Sequence, residues 1–315
     1  MERAEGEGEC TTIQDLRTKR KAHIIIRDSF RLILADFTTF LPTILLASIP
    51  IFLLLFFSLS VVSLRKEISY KESLLPWLPG GVTALHVKGE IAGNVRHLLK
   101  YKAVYWLPTY VFSVMSTVTT IKLAASSNMC QKPKFRLAMA AVRETWWRLA
   151  ITSLYVTVFR EAYDQFARVA GVMALGGLMR TTVGVVVAWG GLLILRVYIM
   201  VVLSMGMVVS VLEGRWGLEA VGIGWELVEE RRLSGWILGG FQAALSYGTG
   251  WWWCLSGDRI GCGSTSSSST GTELLLVGLL SAVMVVLSDV LNTIYYFDCK
   301  MCQGMPSGGH REERE

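Results

Sequence analysis

Charge is scarce in this sequence. Asp, Glu, Lys and Arg make up 18% of the 315 residues, where soluble domains carry about a quarter. With 52% hydrophobic residues and a mean hydropathy of +0.44, the deficit points to lipid-facing surface rather than to a larger water-soluble core. Histidine is scarcer still: His23, His86, His97 and His310 are the only four, and they form no HExxH or comparable cluster. A phosphate-cradling glycine loop, a GxSxG elbow and a dinucleotide fingerprint are missing too. The common enzyme signatures are therefore absent. The sequence is read as that of a non-enzyme, and it calls for no cofactor and no metal. Six cysteines (Cys10, Cys130, Cys254, Cys262, Cys299 and Cys302) lie scattered without a disulfide framework. The acidic, polar opening MERAEGEGEC is no signal peptide, so insertion is expected to depend on the first transmembrane helix.

What is present in quantity is long apolar stretches. The expected fold class is all-α: a polytopic transmembrane helical bundle of about six spans with interfacial amphipathic helices. The spans fall at about 37–63, 103–125, 147–177, 183–211, 233–254 and 274–297, within one transmembrane domain at 23–300. A polar, basic tail (1–22) precedes this domain and a polar tail (301–315) follows it, while a Ser/Gly-rich loop at 256–271 separates the last two spans. The first span carries no charge but contains Pro42 and Pro50, which predict kinks supported by neighbouring helices. Before it, Ile25, Phe30, Leu32, Ile33 and Phe37 are interleaved with Arg27, Asp28 and Arg31. That pattern fits either an interfacial helix or the charged start of the span.

Charged connectors are expected at 64–102 and 126–148. The third span is interrupted by Arg160, Glu161, Asp164 and Arg168, and the spacing of Arg160, Asp164 and Arg168 puts the three on one helical face as candidate ion pairs. It reads as one long irregular span, or else as a short span breaking to a surface helix near Arg160. Between spans four and five, Leu218, Val221, Trp225 and Val228 recur every three or four residues within 213–232, as in a surface-lying helix.

The formal charge of +6 is carried in short segments beside apolar stretches, which is the habit of membrane proteins and not of nucleic-acid binders. The basic N-terminal segment predicts a cytoplasmic start, and six spans return the C-terminus to the same side. The 126–148 connector and the 213–232 helix then face the cytoplasm and the Ser-rich loop lies outside. The basic connector at 64–102 breaks the pattern, because this topology places it outside too. The endoplasmic reticulum or the plasma membrane is the expected location.

Few residues suggest chemistry. Asp289, Arg196, Arg160 and Asp164 are charges inside apolar stretches, hence candidates for a substrate or ion path. For Asp289 the structural alternative is a charge paired with Arg196 or Arg160. Cys299 and Cys302 form a CxxC just after the last span, a candidate acylation site or half of a metal or redox pair.

Four passages carry a resemblance: WWRLAITSLYV (146–156), the stretch 198–240 with VVSVLE and the helix after it (208–232) as its most distinctive part, the ending TIYYFDCK (293–300), and Lys102 to Thr120. They resemble a plant family of uncharacterised multi-pass membrane proteins, over most of the chain from about Ile25 to Lys300. The resemblance implies about six spans and no assigned activity. Some members of that family are labelled as binding a polyadenylate-binding protein. The chain departs from the pattern in its charges from Arg160 to Asp164 and in its Ser-rich loop.

Two functions follow. The first is a non-enzymatic organiser of membrane partners or lipids, with a cytoplasmic protein partner taken up through helix 213–232. The second is a transporter, or a subunit of one, for a small solute. A transporter predicts that the intramembrane charges converge on one cavity near mid-bilayer; an organiser predicts that they pair off within packed helices or sit at the interface.

Overall fold

The computed structural model describes residues 22–74, 82–129, 135–173, 182–261 and 269–303. Among these the chain forms eight α-helices: α1 (Ala22–Ala35), α2 (Phe37–Leu74), α3 (Val82–Asn128), α4 (Phe135–Met173), α5 (Thr182–Leu212), α6 (Leu218–Glu230), α7 (Arg232–Gly261) and α8 (Ser269–Cys302). The N-terminal tail, the C-terminal tail with His310, and the Ser-rich centre of the loop at 262–268 lie outside the described residues.

Three helices among the described residues are long and apolar enough to cross a membrane: Phe37–Leu54 in α2, Trp189–Leu212 in α5 and Leu275–Cys302 in α8, with mean hydropathies of 2.0, 2.4 and 2.1. The protein is thus an all-helical, multi-pass membrane protein associated with a lipid bilayer. Six such helices were expected. The stretch at 103–125 falls short because Ser, Thr and Lys122 dilute its apolar residues, and 147–177 because of its four charges. The stretch at 233–254 runs beyond the residues whose side chains are described.

The connectors are the larger surprise. α2 continues to Leu74 and α3 begins at Val82, so most of 64–102 is helix. The 47 residues of α3, at about 1.5 Å each, span roughly 70 Å, twice the thickness of a hydrocarbon core. α4 likewise starts at Phe135 and passes through Arg160 unbroken to Met173. The charges that suggested a break are compatible with helix because they project from it: Arg160, Glu161 and Arg168 are exposed.

α1 is a helix of its own, ended at Asp36. Ala22, Ile25, Ser29 and Ile33 recur every three or four residues and are its buried face, which packs mainly against α8. α8 is the centre of the bundle. Its first half exposes Leu275, Leu276, Leu279 and Leu280, as a lipid-facing surface does. Every residue from Val290 to Cys299 is buried, under α1, α2, α3, α5, α6 and α7.

α6 folds back along α5, but not on the predicted face. Ala220, Gly224, Leu227 and Val228 are buried, whereas Leu218 and Trp225 are 57% and 49% exposed. The reason is size. A Cβ on Gly224 would stand 2.8 Å from the Gly206 nitrogen and 3.1 Å from the Val202 carbonyl oxygen. Only small residues allow two helix backbones so close, so the bulky apolar side chains turn outward.

Candidate functional site

The turn between α5 and α6 is the best-connected polar region among the described residues. Gly214 and Gly217 have φ of 74° and 65°, a backbone that L side chains rarely adopt, and they let the chain reverse within five residues. The turn leaves backbone groups without helical partners, and α4 supplies them. Arg148 donates to the Gly214 carbonyl at 3.2 Å, and the Gly217 N–H donates to Thr152 Oγ1 at 2.9 Å. Gly217 caps α6 without a side chain, and Thr152 satisfies the cap residue's own N–H, the donor that an N3 Glu or Gln takes up in a capping box. Thr152 also bonds Ser210 at 3.2 Å, tying α4 to the last turn of α5. Arg148 stands over the Trp147 ring, which packs against Trp216 of the turn at 6.0 Å between centroids.

From the other side α8 holds both ends of α6. Glu213, just before the turn, accepts hydrogen bonds from the Tyr296 hydroxyl and, at 2.7 Å, from Lys300 Nζ. Lys300 also donates to the Tyr296 oxygen at 3.0 Å. Arg231, just beyond α6, forms an ion pair with Asp298, the two side chains being 13% and 5% exposed. The Arg231 carbonyl accepts from the Tyr295 hydroxyl at 3.1 Å. Two adjacent tyrosines, about 100° apart around one helix, thus reach opposite ends of α6. The passages 146–156, 208–213 and 293–300 therefore meet at one place.

The path candidates are not brought together. Asp164 pairs with Arg196 at 3.3 Å across α4 and α5, while Arg160 and Arg168, its expected partners, are exposed. Tyr163 beside it donates to the Leu192 carbonyl, and Arg196 also stands over the Tyr247 ring of α7. Asp289 pairs with neither Arg196 nor Arg160 among the described residues. Thr117 of α3 lies against its carboxyl group, and its Oδ2 is buried without a hydrogen-bond partner. A cavity of about 610 Å³ opens beside the start of α4, lined by Phe135, Arg136, Met139, Ala140, Arg143 and Glu144. None of the four path candidates lines it. Cys299 is buried and Cys302 is exposed. No group of three or more His, Cys, Asp or Glu stands ready for a metal ion among the described residues.

Sequence reasoning missed Arg148, Thr152, Glu213, Arg231 and Asp298 as a set, because each is an ordinary residue whose partner lies in an element distant in sequence. The available signal was positional. Glu213 and Arg231 bracket a short amphipathic helix, and Asp298 with Lys300 offers the opposite charges at the end of an apolar span.

Fold and site together define a multi-pass membrane helical protein whose polar residues clamp a re-entrant hairpin at one end of the bundle. Within that class the chain belongs to the family described as a domain of unknown function, DUF8558, whose profile matches residues 15–304. No curated protein and no solved structure matches it.

Proposed function

We propose that this protein is a six-span, non-enzymatic organiser of membrane partners, with α6 presented as a rigid docking element on the cytoplasmic side. The observation that carries the reading is the fate of the intramembrane charges. Asp164 and Arg196 neutralise each other between packed helices, Asp289 lies against α3, and the cavity beside the start of α4 is lined by none of the three. A solute path needs such groups to converge; a scaffold needs a fixed surface. α6 offers one, pinned at both ends, with Leu218, Trp225 and the neighbouring Trp216 turned outward.

The test has two arms. Single-cysteine reporters on a Cys-depleted chain at positions 140, 222 and 308 are expected to label from the cytoplasm, and those at 80 and 264 from the opposite side. Labelling of 222 and 308 opposite the cytoplasm removes the topology. Replacing Leu218 and Trp225 by Ser, while leaving the buried face intact, is expected to preserve insertion and abolish recovery of a cross-linked cytoplasmic partner. Undiminished recovery sinks the docking role.

A further inference from the structure

The hydroxyls of the long helices follow a habit. On α3, Thr109, Thr119, Thr120 and Ser126 each donate to the carbonyl four residues back, at 2.7 to 2.9 Å. On α8, Ser281 and Thr293 do the same. Such back-bonding satisfies a hydroxyl inside an apolar environment without help from another helix. Two hydroxyls break the habit. Thr43 of α2 and Ser116 of α3 are 0% and 2% exposed, and the side-chain oxygen of each is buried with no hydrogen-bond partner. Asp289 Oδ2 on α8 is a third such oxygen. A buried polar group left unsatisfied costs on the order of 1–3 kcal/mol, and the hydrocarbon around a span offers no water to relieve it.

The register of the helices puts these atoms at one level. α2 and α3 run antiparallel, joined at one end by the Ser127–Asp36 hydrogen bond of 3.3 Å and further along by the Phe57–Tyr105 ring contact at 5.5 Å. Leu46 is ten residues beyond Asp36, and Thr117 is ten residues before Ser127. At 1.5 Å per residue both lie about 15 Å from that hydrogen bond. Asp289 is at the same level, since Thr117 lies against its carboxyl group. Ser116 adjoins Thr117 in the chain, and Thr43 lies within one turn of Leu46. Pro50, inside α2, has no N–H to donate to the Leu46 carbonyl, which loses its helical partner at this same level. Where α2, α3 and α8 pack together, one carboxylate, three hydroxyls and one freed carbonyl lie at about one level.

We infer that this level is a site for a dehydrated monovalent cation, sodium, with Asp289 as the charged ligand and Thr43, Ser116, Thr117 and the Leu46 carbonyl as neutral oxygen ligands. Hard oxygen donors select alkali and alkaline-earth ions over softer metals. One carboxylate neutralises one positive charge; a divalent ion would leave net charge buried among apolar helices. A junction between packed helices favours the smaller sodium over potassium. The ion gives each orphaned oxygen a partner and locks three helices together, whether or not α6 docks a protein.

The test is thermal unfolding of the full chain in detergent micelles, with sodium titrated against choline at constant ionic strength and pH, and then potassium against choline. A ligand that binds only the folded state raises Tm in a saturable way. Sodium is expected to raise it by about 1–2 °C, since the unfolding entropy, about 2.1 cal/mol/K per residue, is large for a chain of 315 residues, and potassium to raise it less. Asp289→Asn removes the dependence while helical circular dichroism and gel-filtration profile stay those of the wild type. If Asp289→Asn does not fold, Thr117→Val serves as the second variant and is expected to weaken sodium's half-effect concentration several-fold. Equal effects of sodium and choline overturn the inference. So does a Tm that moves with pH but not with sodium, which indicates a protonated acid, and so does full sodium dependence in a folded Asp289→Asn.

Discussion

The two ends of this helical bundle are built from the same long helices and are held in different ways. At the end that carries the α5–α6 turn, side chains from α4 and α8 bind backbone groups of the turn, and the tyrosines, Asp298 and Cys299 of α8 are buried. At the opposite end, α4 meets the start of α5 through the half-buried Asp164–Arg196 pair and the Tyr163–Leu192 bond. Around them Trp189, Leu193, Ile194, Leu195, Phe166 and Val169 are exposed. The lesson concerns solvent. A turn inside or beside the bilayer leaves backbone groups that lipid cannot satisfy, so protein must do it. A continuous helix satisfies its own backbone and can leave apolar side chains to lipid. Polar specificity therefore gathers where the chain reverses.

The largest difference between the ends is expected from their ion pairs. Asp298→Ala removes the carboxylate that pairs with Arg231 at a nearly buried site, and losing one member of such a pair costs about 3–5 kcal/mol. Asp164→Ala removes a more exposed partner and should cost less, because Arg196 keeps its place over the Tyr247 ring. Urea unfolding of both variants in micelles measures the contrast, and equal losses would erase the distinction between a clamped and an open end.

Glycines sharpen it next. At Gly224 an added Cβ meets backbone atoms of α5 at 2.8 to 3.2 Å, which side-chain movement cannot relieve, so Gly224→Ala should destabilise by about 1–3 kcal/mol. Gly190 and Gly191, at the open end of α5, have nothing within 4 Å of an added Cβ. Alanine there is expected to be neutral or to stabilise by about 0.5–1 kcal/mol through helix propensity. Opposite signs in one α5–α6–α7 unit, read as Tm shifts, would show the close approach to be confined to the hairpin.

How much of this was legible beforehand follows the same division. The apolar spans of α2, α5 and α8 could be read directly, because composition alone decides that a helix is stable in lipid. The segments at 64–102 and 126–148 could not, because charge was taken to mean connector, whereas long helices carry charge readily once they leave the hydrocarbon. For α6 the helix was legible and its face was not: the pattern Leu218, Val221, Trp225 tracks hydrophobicity, while Ala220 and Gly224 decide the packing by being small. Asp164 was legible as a charge needing a partner, but its helical spacing points to Arg160 and Arg168, whereas Arg196 is brought to it only by tertiary structure. The turn network was out of reach, since Thr152, Glu213 and Asp298 acquire their roles from helices distant in sequence.

Thr152 tests the clamp without touching charge. Thr152→Val keeps the shape and removes the acceptor for the Gly217 N–H and the link to Ser210. A buried N–H left unpaired costs about 1–3 kcal/mol, and amide exchange of the 214–218 turn should quicken accordingly. Tyr163→Phe, which removes the corresponding bond to Leu192 at the open end, should cost less, because the carbonyl of a continuous helix keeps its helical donor.

The smallest effect is expected furthest out, where α2 and α3 run on beyond the apolar span. Lys71 donates to Glu67 at 2.7 Å and lies 3.0 Å from Glu90, while Asn94 donates to Glu67 at 3.3 Å. The hydrogen bond from Lys71 holds both carboxyls below the usual value of 4.5, and the bonds to Glu67 and Glu90 hold the Lys71 ammonium above 10.5. The signs follow. Stabilisation from the depressed carboxylates is complete above about pH 4.5 and is lost as pH falls through their lowered folded values. Stabilisation from the raised lysine is complete below about pH 10.5 and is lost as pH rises through its folded value. The Tm difference between wild type and Lys71→Gln should therefore be small, flat across neutral pH, and reduced below pH 4.5. Added salt should shrink it, since these groups are exposed and screened. A difference as large as that for Asp298→Ala would mean that the far end is clamped as tightly as the turn, and that the distinction between a polar end and a lipid-held end is false.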